Sequence, residues 1–180
     1  MIYLASSSSS RAKILKDNNI EFKQIPFDYD ESGVNKKNIY KYPYEIVTLK
    51  QKQFMKAYKN ITNVLFADSV VAVNNQIFGK AKDDEEALFM IEEQSGNYSS
   101  VISAFIFNSE DKIITNLSIT TYKFAKFNKD DIENYIKTKE YKGKAGAMMI
   151  EGFNKKYIVK QKGNTSTAMG LNIEALKAYL

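Results

Sequence analysis

One run of ten residues, Val64–Val73 (VLFADSVVAV), limits most sharply what this chain can become. It is the most strand-like segment in the sequence, and Asp68 interrupts its middle. A carboxylate inside an apolar strand costs several kcal/mol to bury unless something pairs with it. One reading breaks the strand at Asp68, which then caps a turn or sits at a strand end. The other gives Asp68 a partner and a function, since α/β sheets place ligand sites at strand ends. The sequence alone leaves both open.

Other segments supply the rest of a sheet and its helices. Residues 2–5 read as a buried strand and 20–27 as a second one. Residues 28–42 are polar and read as a loop. Pro43 suits the first position of a helix running to Asn60. After a turn at Asn74-Asn75 comes a short strand to Gly79. A helix over 83–94 opens on four acids, which complement its positive end. Residues 98–107 and 112–127 read as paired strands, and Asn128 as the N-cap of a helix to about Thr138. Short strands are expected at 145–150 and 156–161, and a closing helix at 172–180. Helices and strands intermix without repeat or linker, so the fold class is α/β or α+β, one domain over 1–180, with a central mixed sheet expected.

The missing residue types narrow the chemistry. There is no Cys, His or Trp. Thiol nucleophiles, thiolate metal sites, Ser-His-Asp triads and imidazole zinc sites are excluded. Acid–base work falls to Asp, Glu, Lys or Tyr. A metal would sit on oxygen ligands, which favours Mg²⁺ or Mn²⁺. No apolar stretch approaches the ~18 residues that span a bilayer, and no signal peptide is visible, so a cytoplasmic protein without membrane partners is expected.

The net charge of +5 suggests anionic partners, but a solvated Lys-rich surface is the stronger reading of it. No nucleic-acid motif accompanies it, so specific nucleic-acid binding is not expected. Of 26 basic residues only Arg11 is arginine. It follows a serine run, Ser6 to Ser10, leading into a helical pattern. Hydroxyls, free backbone N–H groups and a fork-shaped guanidinium together suit phosphate, while the plainer reading is a serine-capped helix. Asp28, Asp30 and Glu31 form an acidic loop cluster that could hold hydrated Mg²⁺ or be solvated. Lys80 ends a strand without a Walker pattern, and Lys52 lies on the Lys-rich helix.

Several segments, in order, resemble one known family. LASSSSSRAKIL (4–15) is similar to LASxSPRRxxLL, ADSVV (67–71) to ADTVV, and FGKAKDDEEALFMI (78–91) to GKPxdxeeAxxmL. TTYKF (120–124), YIKTKE (135–140), KAGAMMIEG (144–152) and GNTSTAMGLNI (163–173) resemble TxVxF, YxxtGE, KAGaYgIQG and GxysxVvGLPl. Spacing agrees over nearly the whole chain. Together they resemble the Maf nucleoside triphosphate pyrophosphatases, also described as septum formation inhibitors.

The resemblance implies a two-lobed, elongated α/β fold around a deep nucleotide cleft, usually a homodimer. It implies hydrolysis of a nucleoside triphosphate to monophosphate and pyrophosphate with a divalent cation. It implies Asp68 as general base, Glu31 and Asp68 at the metal, and Ser6, Ser8, Ser10, Arg11, Lys52, Ser69, Lys80 and Glu151 around the substrate. Ser10, Ser69 and Glu151 fall at positions tied to base selection, and ADSVV is nearer the dTTP/UTP branch. Three departures are notable: Ser10 and Asn97 stand at family arginines, and Glu151 at a family glutamine. A catalytically weak nucleotide-binding module acting in division control is the alternative expectation.

Overall fold

The computed structural model describes residues 1–180. Seven strands form one mixed sheet: β1 (Ile2–Leu4), β2 (Phe22–Gln24), β3 (Val64–Val73), β4 (Gln76–Phe78), β5 (Tyr98–Asn108), β6 (Ile113–Phe124) and β7 (Ile158–Lys162). The order is β2-β1-β3-β5-β6-β7, with β4 also on β3. β2, β1 and β3 run parallel, and every other pairing is antiparallel. The helices are α1 (Ser9–Asp17), α2 (Lys41–Ala57), α3 (Asp84–Gln94), α4 (Lys129–Thr138), α5 (Thr165–Ala168) and α6 (Ile173–Lys177).

β3 does not break at Asp68. Its register with β5 is continuous from Val64–Asn108 to Val73–Ser99. Alternate side chains reach opposite faces. Val64 and Phe66 pack with Val47 and Phe54 of α2, while Leu65 and Ala67 join Ile14 and Leu15 of α1 and Leu176 of α6. A second body gathers on the far end of the same strands. There Val71, Val73, Val101 and Tyr122 pack with Met90 and Ile91 of α3 and Ile132 and Tyr135 of α4. Two apolar bodies thus share β3, β5 and β6 and meet near Asp68 and Ser69, the only two residues of β3 that are not fully buried. This is the two-lobed arrangement that the resemblance implies.

Three expected elements differ. The strand expected over 20–27 is shorter, Phe22–Gln24; Ile25 still donates to the Leu4 carbonyl at 2.9 Å, and Pro26, which has no N–H, cannot extend the ladder. The α2 helix starts at Lys41, and Pro43 lies within its first turn, where its missing N–H costs nothing. No strand forms over 145–150. Gly143, Gly146 and Ala147 all take left-handed φ values, which an extended ladder cannot hold, so the segment winds into turns with only Ala145 bridging Lys80. Gly146 is obligatory there, since a Cβ would lie 2.6 Å from that of Val71. The Asn128 N-cap forms as expected and accepts from the Asp131 N–H.

Candidate active site

The sheet topology makes an opening on one edge of β3. β1 and β4 both lie on the side away from β5. β1 pairs with β3 only up to Leu65, and β4 only from Val71. Between them, residues 66–70 have no strand neighbour on that edge. Asp68 stands at the centre of this gap, against a cavity of about 290 Å³. The feature that looked like a flaw in a strand is therefore where a window in the sheet lets solvent reach a carboxylate held by rigid backbone.

The Asp68 side chain is 15% exposed. Lys50 of α2 binds it at 2.8 Å and binds Glu31 at 2.9 Å with the same ammonium. That ammonium also lies 5.5 Å from the ring centre of Tyr29, a cation–π distance. Burial pushes the Asp68 carboxyl above its ordinary 3.8; Lys50 and then Arg11 pull it back, and Glu31 pushes it up again. The loop carrying Glu31 is clasped from two sides. Gln53 exchanges hydrogen bonds with the Asp30 backbone, and the Tyr29 hydroxyl donates to the Ala5 carbonyl.

Arg11 lies across the window. Its Nε donates to the Gly170 carbonyl at 3.0 Å, and its two Nη atoms to the Ser6 and Ser69 hydroxyls at 3.2 Å each. The guanidinium thus ties the serine loop, β3 and the turn after α5 into one wall. The Ser8 side chain caps α1 by accepting from the Arg11 N–H. Ser69 also shares a 2.7 Å hydrogen bond with Ser103 of β5. Lys80, just past β4, reaches the cavity with no acid within ion-pairing distance. Glu151 also lines it, bonded to Lys144 at 3.0 Å.

Of the residues singled out from the sequence, Ser6, Ser8, Ser10, Arg11, Glu31, Asp68, Ser69, Lys80 and Glu151 all line this cavity. Lys52 does not. It is exposed on the outer side of α2, and Lys50 of the same helix lines the cavity instead. Two helical residues differ by about 200°, so Lys50 and Lys52 face opposite ways. A signal for Lys50 existed: it falls midway between Ile46 and Phe54, four residues from each, on the buried stripe of α2. Lys144 had no such signal. Asp28 lines the cavity beside Glu31, whereas Asp30 turns away to bond Ser32.

No group of three or more acids gathers as a metal cluster. Glu31 and Asp68 nevertheless present two hard oxygen donors to one point, and a cation, the Lys50 ammonium, already stands there. Two carboxylates completed by phosphate oxygens and water suit Mg²⁺ or Mn²⁺, so the residues fit such an ion. No helix is long and apolar enough to cross a membrane.

Known proteins resemble this chain over nearly its whole length. A protein named nucleoside triphosphate pyrophosphatase from Campylobacter jejuni is 45% identical over 184 residues, covering all of both chains. The protein of the same name from a Nitratiruptor species is 44% identical, covering 98% of this chain and 96% of its own. That of Helicobacter pylori is 34% identical, covering 99% and 94%. The family model described as Maf-like protein matches residues 1–180, and the chain belongs to that family.

Proposed function

We propose that this chain is a nucleoside triphosphate pyrophosphatase that cleaves between the α- and β-phosphates, with Asp68 as general base and thymidine or uridine triphosphate as preferred substrate. The observation that carries the reading is Asp68 itself: a buried, strand-held carboxylate in a window, facing Arg11, Lys50 and Lys80 from three separate segments. The names of the relatives support the reaction class, and the ADSVV segment supports the pyrimidine preference.

The residues divide the work by their surroundings. Asp68 accepts a proton from water as the water oxygen bonds to the α-phosphorus. The bond to the bridging oxygen breaks, and pyrophosphate leaves with its electron pair. Lys50 favours the ionised form of Asp68 against its burial and fixes its direction. Arg11, held by three acceptors, is a stationary positive wall, and Lys80 is a mobile one. N–H groups at the start of α1 add partial positive charge next to the phosphates. Glu31 and Asp68 would hold the divalent cation, which offsets phosphate charge and polarises the phosphorus–oxygen bonds.

The test is pyrophosphate release over a panel of ribo- and deoxynucleoside triphosphates with Mg²⁺ or Mn²⁺. Release that is fastest with dTTP or UTP is the expected result. Nucleotide binding without release from any of them overturns the enzymatic reading in favour of a binding module.

A further inference from the structure

Four cations and four acids line the cavity: Arg11, Lys50, Lys80 and Lys144 against Asp28, Glu31, Asp68 and Glu151. Its formal charge is therefore zero. Without a metal, a cation freed from its internal pair adds directly to the pocket's attraction for a triphosphate of charge about −4. The pairs differ in how firmly they are closed. Arg11 is committed to three acceptors inside the wall. Lys50 is 12% exposed and shared by two carboxylates. The Lys144–Glu151 pair is the open one: a single contact at 3.0 Å, with the side chains 21% and 35% exposed. Exposed ion pairs are the weakest kind and exchange partners most readily.

The backbone under this pair is built to hold it in place. The 144–152 turn brings two side chains seven positions apart into contact across the cavity wall. The Gln94 side chain, fully buried, donates to the Gly146 carbonyl at 2.6 Å and accepts from Asn154. Asn154, also fully buried, accepts from the Met149 N–H at 2.7 Å. The Tyr135 hydroxyl donates to the carbonyl of Ala147, whose φ of 53° lies in the left-handed region. The bridge between Lys80 and Ala145 sets Lys144 beside Lys80. Lys144 and Lys80 thus stand on bridged segments of backbone, and only Lys144 has an acid partner.

We propose that Lys144 is a phosphate ligand held in reserve by Glu151. Arrival of the triphosphate draws the ammonium off Glu151 and onto phosphate oxygens, and the released carboxylate turns to solvent, where it is already a third exposed. Lys144 then joins Lys80 as a second movable cation, while Arg11 and Lys50 stay fixed. Glu151 thereby sets substrate affinity by competing for Lys144. The inference rests on the triphosphate reading above and adds a residue and a control point to it.

The experiment measures binding by calorimetry of three probes, inorganic tripolyphosphate, a uridine triphosphate with an α,β-imido bridge, and uridine, to wild type, Lys144→Met, Lys144→Arg and Glu151→Gln. Lys144→Met is expected to weaken both phosphate probes by about tenfold, the scale of one charge-assisted contact, and to leave uridine unchanged. Lys144→Arg keeps the charge and recovers most of the loss. Glu151→Gln tightens both phosphate probes about threefold or more. Equal loss of uridine and triphosphate binding in Lys144→Met overturns the proposal, since the pair would then face the nucleoside. So does unchanged or weaker phosphate binding in Glu151→Gln. Thermal unfolding of each variant separates these results from misfolding. Pyrophosphate release by wild type, run on the same samples, tests the enzymatic reading separately.

Discussion

Two of the cavity's three lysine–carboxylate contacts, nearly equal in length, sit in very different surroundings. Lys50 and Asp68 meet at 2.8 Å in the sheet window, on a strand buried along both faces. Lys144 and Glu151 meet at 3.0 Å on a turn, with both side chains partly in water. In the first, burial makes charge expensive and the partner indispensable. In the second, water screens the attraction and the partner can be exchanged. Distance alone would rank them together; their dielectric surroundings separate a buried pair from a partly solvated one.

Asp68→Asn breaks the comparison most severely. The amide keeps the size and a hydrogen bond but cannot take a proton, so the rate of pyrophosphate release falls by about 10²–10⁴. Lys50→Met comes next, because it leaves Asp68 buried without its main partner. Lys50 holds the carboxyl down against burial, so its loss moves the Asp68 titration upward. Carbon NMR of metal-free protein is expected to place the wild-type midpoint above 3.8, and the variant's higher still. The base works ionised, so activity is lost as pH falls through that midpoint. In the variant the loss begins at a higher pH. At a pH below both midpoints the rate drops roughly tenfold for each pH unit the midpoint climbs. A midpoint unchanged by Lys50→Met would show that the two pairs do not differ in the way claimed.

The turn side is sharpened by its anchors. Asn154→Ala removes the acceptor for the Met149 N–H and strands the Gln94 carbonyl oxygen in the core. A buried polar group left unpaired costs about 1–3 kcal/mol, readable as a lower urea midpoint with an unchanged slope. The Michaelis constant rises with it, as Lys144 loses its place, whereas the turnover number set at Asp68 changes little. Equal loss in both constants would mean that the turn supports the window as well.

How much of this was legible in the sequence depends on what kind of physics set each feature. Local rules fixed the cap at Asn128 and the acid-led start of α3, and both formed. The β3 run was legible as a strand because ten residues of apolar character outweigh one carboxylate. Its continuity through Asp68 was not, because that depends on β1 stopping at Leu65 and β4 starting at Val71, a matter of sheet topology. The turn at 145–150 was missed for a local reason: Ala147 adopts a left-handed φ that alanine rarely takes, held there by Tyr135 and Gly146. Arg11 was legible as an anion-side residue, but its bonds to Ser69 and Gly170 span far-apart segments that no local pattern joins.

Lys52→Ala carries the smallest expected effect and tests the helical reasoning most directly. Resemblance assigns the helix cation to Lys52, while the α2 stripe of Ile46, Val47 and Phe54 turns Lys50 inward and Lys52 out to solvent. An exposed lysine with no ion pair contributes within about 0.5 kcal/mol to stability. Lys52→Ala is therefore expected to leave both kinetic constants within about twofold, against the large loss in Lys50→Met. If the two losses were comparable, α2 would have to present a second face to the substrate, by rotation or by closure of the two bodies. The contrast between neighbours on one helix thus reports whether the resting arrangement of the window is also the working one.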